Sequence, residues 1–304
     1  MRTDCEFSVC WMRMRLESFS SAPLTPTHVV RPLAVNTFRY LFRCALALKF
    51  TPALGSIFLA DMYRQTVLGW WWLIIRALLP TFAIVTIFGH VSDFNQGSIP
   101  FGLYVFSGML LWTLMATSME RCTRALRRSR GVQAKLAIPK LVIVIASTSI
   151  ALVYFCTFVI GFALGLAFEY FTSGIVFLKW GWNLLFLPIP LGLSLLLAIG
   201  LTSFTSVACV FARDARMIVP LVTQLWFLLT PIIYKIEIMP PRWQFALLYF
   251  NPVAPLLEML RWSLFGVGEL HLIALTVSAG MCVGIFFLGA RFLMRAEWIL
   301  KELF

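Results

Sequence analysis

The chain has 304 residues, 61% of them hydrophobic, and a mean hydropathy of +0.89. Soluble domains hold roughly 45–50% apolar residues, so a soluble globular protein is excluded and lipid is the expected solvent. The net charge of +12 would suggest nucleic acid in a soluble protein; its distribution along this chain points to membrane orientation instead, and no nucleic-acid partner is expected.

Near the N-terminus, Arg13 and Arg15 are not followed by an apolar core with a small-residue cleavage site, so no signal peptide is read. Residues 18–32 are rich in Ser, Thr and Pro. Residues 1–32 therefore read as a flexible cytoplasmic tail and 33–304 as a single transmembrane domain. Residues 33–50 mix apolar side chains with Arg39, Arg43 and Lys49. Arg39 and Arg43 share a helix face, which fits an amphipathic helix in the cytoplasmic interface; deeper insertion stays open. Thr51-Pro52 ends it, and residues 53–67 are amphipathic again around Asp61 and Arg64.

Span 1 is expected over about 69–89, span 2 over 101–119, span 3 over 141–167 and span 4 over 184–210. The loops between them are 92–100 with Asp93, a basic loop over 120–140, and 168–182 with Glu169 and Lys179. Arg213-Asp214-x-Arg216 forms a tight turn after span 4. Residues 217–234 hold no charged side chain; a helix of that length reaches about 27 Å, close to the hydrocarbon thickness. This is span 5.

The segment after span 5 is not a simple loop. Lys235 and Glu237 come first, then Pro240-Pro241, an apolar run over 243–250, breaks at Asn251-Pro252 and Pro255, and a third run leading to Arg261. Proline cannot continue a helix interior, and the residue before it avoids helical geometry. The pattern predicts two helices of about two turns each, too short to cross a bilayer. Span 6 covers about 270–290, and Arg291, Arg295 and Lys301 close the chain. The fold class is all-α and polytopic, with six transmembrane helices, an N-terminal interface helix and two short re-entrant helices between spans 5 and 6.

With both termini inside, the inner segments hold 20 of the 25 Lys and Arg and the outer segments hold 4, Arg76 lying within span 1. The positive-inside rule selects that orientation and puts the two short helices outside. The seven cysteines (5, 10, 44, 122, 156, 209, 282) form no C-x-x-C pair, and His28, His90 and His271 are far apart. A disulfide framework or metal site is not expected. The outer-half carboxylates Asp93, Glu169, Glu237, Glu258 and Glu269 show no spacing that advertises glycosidase chemistry.

Two further features allow two readings each. Arg76 stands about 10 Å into span 1; a charge there is costly and marks a functional candidate, binding phosphate through its fork or snorkelling to the inner interface. Glu258 and Arg261, three apart on the second short helix, pair locally or brace the outer end. No G-x-x-x-x-G-K-[ST] and no Gly-Lys dipeptide occurs, so this chain has no P-loop for ATP.

Three stretches resemble one family. They are Tyr63-Arg64-Gln65-Thr66-Val67-Leu68-Gly69 with Trp72; Gln133-Ala134-Lys135 with Ile138-Pro139-Lys140; and Thr230-Pro231-Ile232-Ile233-Tyr234, Met239-Pro240, Asn251-Pro252, Arg261 and Gly266. Together they are similar to the permease subunit of type-2 ABC exporters of bacterial surface polysaccharides (O-antigen, capsule, teichoic acid). Met62 and Ile57-Phe58 stand where that family commonly has charged residues. The resemblance implies a homodimer with a pore near its interface and two copies of a separate ATPase, which holds the ATP and Mg; no cofactor is expected in this chain. It implies a substrate channel lined from spans 1 and 5, with Trp72, Arg76, Phe82, Trp226, Phe227 and Tyr234 as candidates against the plainer reading of an interfacial aromatic belt. It implies ATPase coupling through Arg121, Arg124, Arg128, Lys135 and Pro139, where charge alone also fits topology and anionic lipid. It makes the short helices an outer gate carrying Trp243, Phe250, Pro252, Glu258 and Arg261. The expected function is ATP-driven export of a lipid-linked polysaccharide across the bacterial inner membrane. The alternatives are an exporter of drugs or lipids with the same fold, a membrane-embedded glycan-processing enzyme, or an energy-independent flippase.

Overall fold

A computed structural model describes residues 37–302 apart from 64–66, 92–98, 123–125, 127–138, 213 and 269. The proposed tail lies outside the described residues. Among the described residues the regular structure is helical, without strands. The α-helices are α1 (Thr37–Ala47), α2 (Thr51–Tyr63), α3 (Trp71–Val91), α4 (Phe101–Cys122), α5 (Lys140–Ser173), α6 (Pro188–Phe211), α7 (Ala215–Leu229), α8 (Pro241–Phe250), α9 (Val253–Phe265) and α10 (Leu272–Glu302).

Six helical stretches are long and apolar enough to cross a membrane: Tyr40–Ala60, Trp71–Gly89, Phe101–Glu120, Lys140–Ser173, Trp182–Phe211 and Leu272–Glu297. The chain is thus a polytopic all-α membrane protein. Five of the six match predicted spans 1, 2, 3, 4 and 6. The remaining one, Tyr40–Ala60, is the segment expected as an interface helix. Span 5 is shorter than expected: α7 has 15 residues, about 22 Å. The helix ends at Leu229 because Pro231 has no N–H to give and forces Thr230 out of helical geometry, to φ −93 and ψ 134. Hydropathy alone runs through that break.

The N-terminal segment packs on α5: the Tyr40 hydroxyl meets the backbone of Leu141, Gly55 packs against Ser149 and Ala146, and α2 lies against α5. A 3-10 turn, Leu48–Phe50, separates α1 from α2, and Pro52 sits in the first turn of α2, where its missing donor costs least.

α4 is the centre of the bundle, with Val105, Leu111, Leu114 and Met115 almost wholly enclosed. α5 and α6 flank it, α3 packs on α4 and α5, and α10 packs on α6. Apolar burial gives little drive between helices in lipid, so close approach rests on small residues. A Cβ on Gly200 of α6 would stand 2.8 Å from the backbone of Ile285, and one on Gly289 of α10 would run into the Gly200 carbonyl. The two helices touch backbone to backbone.

The bundle has two distinct ends. At one, Gly165 of α5 is level with Leu103 at the start of α4, and the neighbouring Tyr104 binds α9 through Arg261. At the other, Lys140 opens α5 against Glu297 of α10.

Candidate functional site

The site is built where span 5 stops. Ending a helix leaves its last four carbonyls without intrahelical partners. Thr230 serves two of these: its hydroxyl donates to the Trp226 carbonyl at 2.8 Å and its N–H to Phe227 at 3.1 Å. The Tyr234 hydroxyl turns back to the Leu229 carbonyl at 3.0 Å. Buried backbone groups need partners, and the next carbonyls find theirs on other helices.

Arg261 of α9 supplies them. Its Nη1 donates to the Pro231 carbonyl at 2.9 Å and to the Tyr104 hydroxyl at 2.7 Å. Its Nη2 donates to the Ile232 carbonyl at 3.0 Å. The guanidinium also lies over the Tyr104 ring, with Cζ 3.6 Å from the centroid, a favourable place for a cation. The Tyr104 hydroxyl in turn donates to the Tyr234 carbonyl at 3.0 Å. Arg261 is only 6% exposed, a costly position for a charge without such partners. Gly108 makes the room: a Cβ there would stand 3.1 Å from Nη2 and 3.0 Å from Ile232 Cγ2.

Asn251, at the corner between α8 and α9, makes a second clamp. Its Oδ1 accepts from Trp226 Nε1 and from the Val253 N–H, both at 3.1 Å. Its Nδ2 donates to Thr230 Oγ1 at 3.1 Å. Ser278 of α10 donates to the Pro252 carbonyl at 2.6 Å. Further along, Lys179 N–H donates to the Leu264 carbonyl at 2.9 Å, and Gly266 ends α9 at φ +65, a left-handed cap natural to glycine.

Glu258 and Arg261 do not form the local pair that their spacing allows. The guanidinium hydrogen bonds go to Tyr104 and the two carbonyls, and Glu258 acts on Arg261 only through space. Burial lifts the Glu258 carboxyl to about 7, Arg261 partly opposing and Glu237 adding to the shift.

The other predicted gate residues differ in placement. Pro252 is buried, while Trp243 and Phe250 on α8 are exposed. The channel candidates fall on two flanks of α4. Trp72, Arg76 and Phe82 are exposed on α3, which packs on α4 and α5. Trp226 and Phe227 are half-buried on α7, which packs on α4 and α6, with ring centroids 6.2 and 5.4 Å from that of Trp112. Tyr234 is half-buried in the turn after α7. Of the coupling candidates, Arg124, Arg128 and Lys135 lie outside the described residues. Arg121 is in the last turn of α4, and Pro139 is the extended residue before α5, at φ −56 and ψ 137.

Tyr104, Gly108 and the side chain of Asn251 are the parts that sequence reasoning missed. An asparagine before a proline reads as a helix breaker, yet its amide is also the natural side chain to bind loose backbone at such a corner. Tyr104 carries no signal beyond being a polar-tipped ring at the mouth of a span.

The model of the ABC-2 type transporter family matches residues 53–265. The O-antigen export system permease protein RfbA of Myxococcus xanthus is 27% identical over 197 residues, 64% of this chain and 72% of that protein. The protein of the same name from Klebsiella pneumoniae is 26% identical over 212 residues, 69% of this chain and 77% of that protein. With most of its length matched, the chain belongs to the ABC-2 type transporter family, as a transporter membrane subunit.

Proposed function

We propose that this chain is the permease of an ATP-driven exporter that moves a lipid-linked surface polysaccharide of O-antigen type across the bacterial inner membrane. The observation that carries this reading is the likeness to two O-antigen export permeases over about two-thirds of the chain. The geometry supports it: the clamped end of α7 and Pro139, the residue that opens α5, sit at opposite ends of one bundle. With the positive charge inside, the outlet faces out and both termini face the cytoplasm.

Two copies of the chain form the pore, and a separate ATPase docks beneath the basic loop. Exposed apolar faces support the pairing: Trp72, Leu79 and Phe82 on α3, and Met217, Leu221, Leu225 and Leu228 on α7, remain uncovered within one chain. In a two-fold pair, α3 of one copy reaches α7 of the other and unites the two groups of channel candidates. Arg76 then offers a phosphate-binding fork near the inner mouth, and the aromatic side chains offer flat faces to sugar rings. Movement of the basic loop shifts the spans, Arg261 lets go of the Pro231 and Ile232 carbonyls, and the outlet opens.

Proteoliposomes holding the chain and its cognate ATPase test this. ATP-dependent passage of lipid-linked glycan is expected. Movement of drugs or simple lipids alone, movement without the ATPase, or chemical turnover of the glycan would each replace the reading with one of the alternatives. Arg76→Gln is expected to lower export; unchanged export would leave Arg76 as a snorkelling side chain.

A further inference from the structure

The first N–H groups of a helix lack intrahelical partners. The 34-residue helix α5 begins immediately after Pro139, and its first N–H groups are taken by two distant parts of the chain. The Lys140 N–H donates to Glu297 Oε1 of α10 at 3.3 Å, and the Leu141 N–H donates to the Tyr40 hydroxyl of α1 at 3.4 Å. Lys140 Nζ returns the grip, donating to the Glu297 carbonyl at 3.4 Å. Lys140 is 4% exposed, and Tyr40 and Cys44 are buried beside it. Pro139 has no side chain able to cap, so the cap has to come from elsewhere. A carboxylate at this position also suits the positive end of the helix dipole.

We propose that Glu297 and Tyr40 are positioning residues for energy coupling. They tie the helix that opens at the end of the basic loop to both α1 and α10, so a displacement of Pro139 reaches three helices at once. Without the ties, the first turn of α5 frays and the displacement is lost there. The inference rests on the proposed ATP-driven function, and two independent readouts separate them.

The first is amide hydrogen exchange of the purified full chain in nanodiscs. Glu297→Ala and Tyr40→Phe are expected to speed exchange over 140–145 by about tenfold, the size of a lost cap, with α4 and α6 unchanged. Glu297→Gln keeps an acceptor oxygen and is expected to restore most of the protection. Unchanged exchange in both variants would overturn the cap itself. The second is glycan exported per ATP hydrolysed, with the ATPase bound. The ratio is expected to fall several-fold in Glu297→Ala while hydrolysis continues, and to recover in Glu297→Gln. A faster-exchanging variant with an unchanged ratio would overturn the coupling role. A wild-type protein that exports nothing under ATP would instead overturn the functional reading and leave the cap standing. Tyr40→Phe removes a single oxygen, so it keeps the test open if Glu297→Ala does not fold.

Discussion

Arg261 grips Tyr104 twice: its Cζ lies 3.6 Å from the ring centroid, and its Nη1 donates to the hydroxyl at 2.7 Å. The residues are 157 positions apart, and between them they hold the unwound end of α7. Charge, stacking and backbone satisfaction meet in one side chain.

Arg261→Ala removes the partners of the Pro231 and Ile232 carbonyls and leaves a cavity. The expected loss is about 2–4 kcal/mol, read as a lower thermal midpoint in detergent, with loss of ATP-driven export. Arg261→Lys keeps the charge but loses the fork that reaches two carbonyls and a hydroxyl. It is expected to keep much of the stability and little of the export. Full export in the lysine variant would remove the fork from the mechanism.

Asn251→Leu keeps the bulk but strands two donors, Trp226 Nε1 and the Val253 N–H. A loss of about 1–3 kcal/mol is expected. Because Asn251 and Arg261 grip adjoining pieces of 226–232, the double variant with Arg261→Ala is expected to lose less than the two single losses combined. Strict additivity would show two unconnected contacts.

The Glu258 carboxyl sits at about 7, mainly because of burial, against 4.5 for the free group. The folded protein therefore holds this proton through a pH range in which the unfolded chain has released it. Stability from this group is intact below about 4.5 and falls as pH rises toward 7. Allowing for the solvent that still reaches the group, the fall is up to about 2 kcal/mol. Glu258→Gln is expected to flatten the thermal midpoint between pH 5 and 8 and to raise it at pH 8. A midpoint whose pH profile is the same in both proteins would place the carboxylate in water.

Gly200→Ala sets a methyl 2.8 Å from the Ile285 backbone, which cannot swing aside as a side chain would. The variant is expected to lose about 1–3 kcal/mol and to separate α6 from α10. Gly192→Ala lies on the same helix with nothing within 4 Å and is expected to be neutral or slightly stabilising. Equal thermal midpoints for the two would show that the backbone contact carries no weight.

Hydropathy makes most of this fold legible. Spans 2, 3, 4 and 6 each rest on long uncharged runs, span 1 rests on an apolar run whose one charge is Arg76, and the prolines at 240, 241, 252 and 255 mark the two short helices. The end of α7 is not legible that way, because hydropathy does not register that Pro231 ends a helix inside an apolar run. The site is legible only in pieces. Arg261 stands out as a charge on an apolar stub, but its sequence neighbour Glu258 suggests a partner that the fold does not use. Tyr104, Gly108, Tyr40 and Glu297 act through contacts more than a hundred positions away. Such contacts leave no period or spacing to read.

The proposed export requires the clamped end of α7 to face away from the proposed ATPase. Cysteines placed singly at Trp243 and Arg128, compared with the unsubstituted protein as background, can be labelled with a membrane-impermeant maleimide in spheroplasts. Label at position 243 in intact spheroplasts, and at 128 only after permeabilisation, is the predicted result. Label at 128 in intact spheroplasts, with 243 protected, would invert the molecule and contradict the direction of export.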